Sequence, residues 1–324
     1  GLVPGLEHQA QSLALTENKR IAEGKIVGTG FYNAWVNMRL TDNYQPNAFT
    51  RHLLPTDLIH LPIAHAEGRF LMPESLLNEL ENQGLNLFQY CDAEGKIIDN
   101  FPINPNGSAG NIAAIINKAG NVMAMMPHPE RTPNGDPIFK SMKDYITSGG
   151  KELGQNSLNS LGQVKPQPFH QKPNSHLCLV KLIITDNQAL TVQKTLRCLG
   201  YPVQVNRYEH WEIDCDSKES FDQLKKSGLL YSDRKEHEAG LNEFNSAKSL
   251  AYLVRAKDDL KGQQTLQTLK AHYSLQQVNA INHGVVWQFS SDEANIAELM
   301  DDILLTNIIG NQYAHECYLY DHPL

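Results

Sequence analysis

Little in these 324 residues belongs to a specialised class. The five cysteines, Cys91, Cys178, Cys198, Cys215 and Cys317, are odd in number and widely spaced. A chain this long does not depend on disulfide staples, so most of them read as reduced, buried, small apolar side chains. No Cys-x-x-Cys pair occurs, which argues against a thiolate zinc site. Apolar runs stop short of the ~20 residues needed to cross a bilayer. The chain opens with neither a basic segment nor an apolar signal core, so it is expected to be cytoplasmic and to have no membrane partner. Asp and Glu outnumber Lys and Arg, 36 to 28, giving a net charge of -8 and a pI near 5.9. With no Lys/Arg stripe, nucleic acid is not an expected partner. Gly24-Lys25, Gly95-Lys96 and Gly150-Lys151 are not followed by the Ser or Thr of a phosphate loop, which places any nucleotide chemistry in a partner. Residue 1 is Gly rather than Met.

What remains is an ordinary globular composition: 41% hydrophobic, 20% charged and 8% aromatic, in a chain long enough for about two domains. From Gly1 to Gly150 short apolar runs alternate with helical stretches. Trp35 to Leu40 alternates like a strand, Leu58 to Ala64 is a compact apolar run, and Glu74 to Gln83 has helical spacing. Ile112 to Ile116 and Val122 to Met126 flank a turn-rich connector that reads as a hairpin loop. Pro137 to Ile146 reads as a helix with Pro in its first turn and Gly149-Gly150 past its end. The fold class of residues 1–150 is therefore α/β. Residues 151–175 are rich in Gly, Ser, Asn, Gln and Pro and read as a flexible linker.

The remainder carries one pattern twice, over 176–248 and 249–324. Thr195-Leu196 matches Thr268-Leu269, Gln204-Val205-Asn206 matches Gln277-Val278-Asn279, and His210 matches His283, all at an offset of 73. Each copy is expected to run strand, helix, two short strands, helix, and the two copies to pack as a pair of small α+β sandwiches.

Two short motifs can carry chemistry. In Met126-Pro-His-Pro-Glu-Arg131 the imidazole and the carboxylate lie two apart, which on extended backbone puts them on one side, so Glu130 can orient His128 as a general base. Spacing by itself favours a surface His and Glu in a proline-rich turn. Leu61-Pro-Ile-Ala-His65-Ala-Glu67-Gly-Arg69 repeats the His-x-Glu spacing after a buried-looking strand. Together the pairs also admit a metal site on His65, Glu67, His128 and Glu130, although no helical His-Glu-x-x-His spacing supports it and no metal is expected. Asn104-Pro-Asn106-Gly-Ser108 is a tight-turn sequence, readable as a structured loop or a binding loop.

Taken with Phe31-Tyr-Asn-Ala-Trp35-Val, these segments resemble, in order and spacing, the glutaminase subunit of phosphoribosylformylglycinamidine synthase, a class I glutamine amidotransferase. The duplicated tail is similar to the small PurS-type bridging subunit of the same enzyme. The resemblance implies an incomplete flavodoxin-like amidotransferase domain followed by a duplicated α+β PurS-like domain. It also implies a Cys-His-Glu triad that hydrolyses glutamine and supplies ammonia for formylglycinamidine ribonucleotide synthesis in de novo purine biosynthesis. His128 and Glu130 match the last two triad members, with His65, Glu67, Asn106 and Ser108 as substrate-binding or supporting residues, and Arg69 and Arg131 as supports or contacts to the synthetase. The family's nucleophile lies on a Gly-x-Cys-x-Gly elbow, which none of the five cysteines here matches, so the nucleophile is expected before Gly1 and this chain alone is expected to be inactive. The implied partner is the synthetase subunit, which carries ATP and magnesium; no cofactor is expected in this chain. The competing expectation is a non-catalytic assembly module of the same complex.

Overall fold

The computed structural model describes Val3 and residues 12–150, 165–240, 249–273, 275, 277–292 and 294–320. The chain divides into two compact units, Gly1–Gly162 and Gln163–Leu324, at a point inside the stretch expected to be a linker.

The first unit is built on a five-stranded sheet. Its elements are β1 (Ala14–Thr16), β2 (Lys19–Ala22), β3 (Lys25–Thr29), β4 (Tyr32–Leu40), β5 (Leu58–His65), β6 (Arg69–Leu71), α1 (Glu74–Asn82), β7 (Phe88–Cys91), β8 (Ile112–Ile116), β9 (Met123–Met125) and α2 (Asp136–Thr147). The main sheet runs β5-β4-β7-β8-β9, with β1-β6 and β2-β3 as separate two-stranded ribbons. On β4 the alternation is sharp: Val36, Met38 and Leu40 are buried, while Asn33 and Trp35 are exposed. Met38, Leu61, Ile63, Leu80 and Leu87 are fully inaccessible members of one core, so truncating any of these leucines to Ala is expected to cost about 2–5 kcal/mol. The helices add their apolar faces, Leu76 and Leu80 from α1 and Ile138 and Tyr145 from α2.

The α/β character expected of this region is present, but the strand pairing departs from a flavodoxin-like sheet: every pair in the main sheet is antiparallel. The reason lies in where β4 goes. Strands β5 and β7 run in the same direction and are joined through α1, but β4 occupies the slot between them and is antiparallel to both. The six residues between β8 and β9 can only turn the chain back on itself, because a parallel return needs a crossover of a dozen residues or more.

The sheet is also strongly curled. Met126 N–H continues the ladder to Ala113 O on β8 (3.0 Å), and two residues later His128 N–H reaches Pro62 O on β5 (2.9 Å). Met126 extends β9, and two residues plus one hydrogen-bonded spacing reach at most ~12 Å, whereas four strand spacings of ~4.8 Å, about 19 Å, would separate β9 from β5 in a flat sheet. The edge strands are therefore drawn together, and the segment after β9 closes the gap.

The second unit contains β10 (Gln167–Pro168), β11 (Ser175–Leu182), α3 (Asn187–Cys198), β12 (Gln204–Cys215), α4 (Lys218–Lys226), β13 (Glu236–Glu238), β14 (Ser249–Ala256), α5 (Leu260–His272), β15 (Val278–Ser290), α6 (Ile296–Leu305) and β16 (His315–Leu319). The order β-α-β-α-β occurs twice, and the seven-stranded sheet reads β10-β16-β14-β15-β12-β11-β13. Leaving β10 aside, that order is palindromic: third, first and second strands of one half meet second, first and third strands of the other. Long β12 and β15 pair at the centre, and His210 opposite Gly284 next to Trp211 opposite His283 mark the middle. Each helix starts on a side-chain cap, Asp186, Ser217, Asp259 and Asn295, each contributing about 1 kcal/mol.

Two expectations are corrected here. The two short strands foreseen between the helices of each copy are one strand of twelve or thirteen residues, and a third strand follows the second helix. Residues 151–164 lie outside the described residues, but from Lys165 onward the stretch read as linker is not free: Gln167-Pro168 pairs with Tyr318-Leu319, and the Phe169 ring packs against His210 and Tyr320. Proline is tolerated there because β10 is an edge strand.

Candidate active site

The segment that closes the first unit's sheet carries the sharper His-x-Glu pair. His128 is held by its N–H on Pro62 O, and six residues later Asn134 Nδ2 donates to His60 O (2.9 Å), so β5 pins the segment at both ends. Pro129–Arg131 forms a short 3-10 turn between these anchors. The turn closes tightly, since a Cβ on Gly135 would meet Pro129 O at 2.2 Å. His128 Nδ1 lies 2.7 Å from Glu130 Oε1, and Arg131 Nε lies 3.5 Å from the same oxygen. An ionised carboxylate only accepts, so Nδ1 donates and Nε2 keeps its lone pair as a base. His128 retains 28% of its side-chain exposure and Glu130 55%, which leaves the ring reachable by a reactant. The slight burial of Glu130 acts to raise its pKa, but hydrogen bonds from its own backbone and from His128, with the charges of His128 and Arg131, outweigh it and leave the pKa below 4.5.

The second motif folds into a different arrangement. His65 ends β5, its Nδ1 is 3.1 Å from Asn18 Oδ1, and its ring lies flat against Gly68, where a Cβ would stand 2.2 Å from Cε1. Burial first, then the charge of His128, lowers its pKa below 6.5. Glu67 is exposed on the turn and is not drawn into this cluster. Asn106 and Ser108 are fully buried and face the same turn. Asn106 Nδ2 donates to Gly68 O (2.7 Å), Ser108 Oγ donates to Asn106 Oδ1 (2.8 Å), and Phe70 N–H donates to Ser108 Oγ (3.1 Å). Asn104 braces the loop by accepting from Gly107 N–H and Ser108 N–H. Gly107 is required there: its φ is +72° and a Cβ would meet Lys19 O at 2.6 Å. Arg69 is tied to this loop through Nε to Gly107 O (2.9 Å). The loop therefore acts as a clamp on residues 65–70.

His65 and His128 come within electrostatic reach of each other, but His65, Glu67, His128 and Glu130 do not assemble as one site. Among the described residues no group of three or more His, Cys, Asp or Glu side chains could hold a metal ion. Trp35, in the first of the four motifs, is exposed and stacks on His60 at 5.1 Å.

The decisive question is the sulfur. Cys91 is the only cysteine of the first unit, and burial, reinforced by Asp92 and opposed by Arg39, pushes its thiol up to about 11. A thiol held that high is not an activated nucleophile. Burial likewise raises Cys178 to about 12 and Cys317 to about 11 in the second unit.

Residues 1–148 match the model of the CobB/CobQ-like glutamine amidotransferase domain. That matched region contains the whole His128–Glu130 arrangement. It is similar to proteins named phosphoribosylformylglycinamidine synthase subunit PurQ: 48% identical over 101 residues to that of Aquifex aeolicus, covering 31% of this chain and 43% of the relative. Similarity to that of Methanothrix thermoacetophila is 38% over 151 residues, covering 41% and 58%, and to that of Methanosarcina mazei 42% over 120 residues, covering 35% and 50%. The chain thus spans about half the length of the curated relatives it matches. A structure of PurLQS from Thermotoga maritima is similar at 24% identity over 43% of this chain and 55% of that one, with a TM-score of 0.30; at that score the likeness carries no structural argument.

Asn18 and Gly68 are the site residues that the sequence does not disclose. Asn18 reads as one more turn asparagine, and only the folded chain brings it 47 positions along to His65. Gly68 matters because a ring packs on it. Among the described residues, no helix is long and apolar enough to cross a membrane.

Proposed function

We propose that the first unit contributes the base and its orienting carboxylate to a glutaminase of phosphoribosylformylglycinamidine synthase, supplying ammonia to a synthetase partner that binds ATP and magnesium. The observation that carries this reading is the 2.7 Å contact between His128 Nδ1 and Glu130 Oε1, within a region similar to amidotransferases and to PurQ subunits. Cys91, the first unit's own thiol, is buried and held too high for the third role, so this reading assigns that role to a cysteine outside these 324 residues.

The chemistry follows from the protonation states. His128 Nε2 takes the thiol proton, and the thiolate attacks the carboxamide carbon of glutamine. The C–N bond then breaks as His128 returns its proton to the leaving nitrogen, releasing ammonia and leaving a glutamyl thioester. A water deprotonated by the same nitrogen hydrolyses the thioester to glutamate. Glu130 keeps Nδ1 protonated and stabilises the imidazolium each time it forms, without itself taking the proton. Residues 65–70 and the 104–108 loop support the site. The second unit, with its two β-α-β-α-β halves, bridges to the synthetase in the manner of a PurS pair.

The test is ammonia release from glutamine by the longest natural protein containing these residues, with and without its synthetase. Activity lost in His128→Asn and Glu130→Gln supports the reading, as does the absence of activity from the 324-residue chain alone. Ammonia released by that chain alone, or full activity in His128→Asn, overturns it. A full-length protein that binds the synthetase but releases no ammonia would favour an assembly module instead.

A further inference from the structure

The Asn18 amide has its orientation fixed by three backbone groups. Nδ2 donates to Gly30 O (3.1 Å) and His65 O (2.6 Å), and Oδ1 accepts from Gly68 N–H (2.9 Å). Turning the amide over would set an NH2 against an N–H and an oxygen against two carbonyls. Oδ1 is therefore the atom 3.1 Å from His65 Nδ1, and that ring nitrogen must be the donor. A neutral imidazole carries one ring proton, so Nε2 is bare. It is also buried and has no hydrogen-bond partner among the described residues, which natural structures rarely leave without cause. Burial and the nearby His128 both favour the neutral ring.

We propose that Asn18 locks His65 in the Nδ1–H tautomer so that Nε2 serves as a hydrogen-bond acceptor for a nitrogen donor, the carboxamide NH2 of the substrate or the ammonia it yields. The donor's identity rests on the amidotransferase reading above; the tautomer does not. Three features converge on this role. Gly68 has no Cβ to displace the ring. The 104–108 loop holds Gly68 O through Asn106. A neutral acceptor within electrostatic reach of His128 attracts N–H groups without competing for the proton that His128 transfers. His65 in this role is a binding residue, distinct from the base.

The test begins with the 324-residue chain carrying 15N-labelled histidine. The His65 signals are identified by their loss in His65→Gln or, should that variant not fold, by the ring's contact with the Gly68 α-protons. The expected spectrum shows a protonated Nδ1 and a bare Nε2, and the Nε2 signal moves saturably with ammonium chloride but not with sodium chloride. A protonated Nε2, or no response to ammonium, overturns the proposal. In the full-length enzyme, His65→Phe loses at least tenfold in kcat/KM for glutamine, and His65→Gln, which keeps an acceptor oxygen, recovers most of that loss. If glutaminase activity is present and His65→Phe equals wild type, this proposal fails alone. If no glutaminase activity exists, the functional reading fails while the tautomer result still stands.

Discussion

Substituting Gly68 by Ala isolates the contact that organises the turn at residues 65–70. The Cβ would stand 2.2 Å from His65 Cε1, 2.3 Å from Nδ1 and 2.7 Å from Nε2, whereas non-bonded carbons rest at ~3.5–4.0 Å. The ring must retreat by more than ~1 Å, which stretches its 3.1 Å bond to Asn18 past the useful range. A lost hydrogen bond costs about 1 kcal/mol and overpacking of this kind about 1–3 kcal/mol, so the first unit should lose roughly 2–4 kcal/mol. Hydrogen exchange of β4 and β5 amides that open only on unfolding of that unit reads the loss directly. The cost must depend on the ring: in a His65→Ala background the same substitution should cost under about 0.5 kcal/mol, giving a coupling energy of ~2 kcal/mol or more. Equal costs in both backgrounds, or no cost in either, would refute the reasoning.

Other outcomes follow from the same geometry. Glu130→Gln should change stability by less than about 1 kcal/mol, because its ion pairs are solvent-exposed, yet lower kcat of the full-length glutaminase by about 10²–10⁴; a kinetic effect below threefold would remove the carboxylate from the mechanism. Alkylation at pH 8 followed by peptide mass spectrometry should modify exposed Cys198 and spare Cys91, whose thiol is buried and raised to about 11. The folded pKa of His65 is depressed, so the unfolded chain binds more protons below pH 6.5; stability is fully present above 6.5 and falls as the pH drops toward the folded pKa. His65→Gln should flatten that acid-side decline in hydrogen exchange of the first unit. In the second unit, fully buried Glu212 pairs with Arg255 at 2.9 Å, and Arg255→Met should destabilise it by about 3–5 kcal/mol, while Glu212→Leu with Arg255→Met should cost much less in urea unfolding.

Much of this molecule was legible beforehand because burial dictates periodicity. Helix α1 falls on Glu74–Asn82, within the helical spacing of Glu74 to Gln83, and strand β8 on Ile112–Ile116. The β8–β9 hairpin could be read from its turn residues. Strand partners could not: Leu58 to Ala64 looks the same whether a parallel or an antiparallel neighbour buries it, and only the path of β4 decides. The His128–Glu130 pair was visible as a spacing, but not the backbone that makes the contact: the extended segment expected there is a 3-10 turn over Pro129–Arg131, and the carboxylate meets the ring across that turn. The clamp around Gly68 was not, because its members Asn18, His65 and Asn106 come from three distant segments. Nor could the sequence show that Glu67, so like Glu130 in its context, would end in solvent.

The palindromic sheet has a consequence for how its two halves can change. When a dimer assembles from identical subunits, every substitution appears at both ends of the axis and must suit both. Here the two sides are encoded separately, and they already differ at the centre. Glu209 gathers Arg207, Lys261 and His283, while the position 73 residues on is the amide of Asn282. Beside the middle of the ribbon the two copies thus gather different charges, Glu209 with Arg207 and Lys261 around His283 and the Arg255–Glu212 pair beside His210, so a single chain can present two unlike faces from one architectural plan.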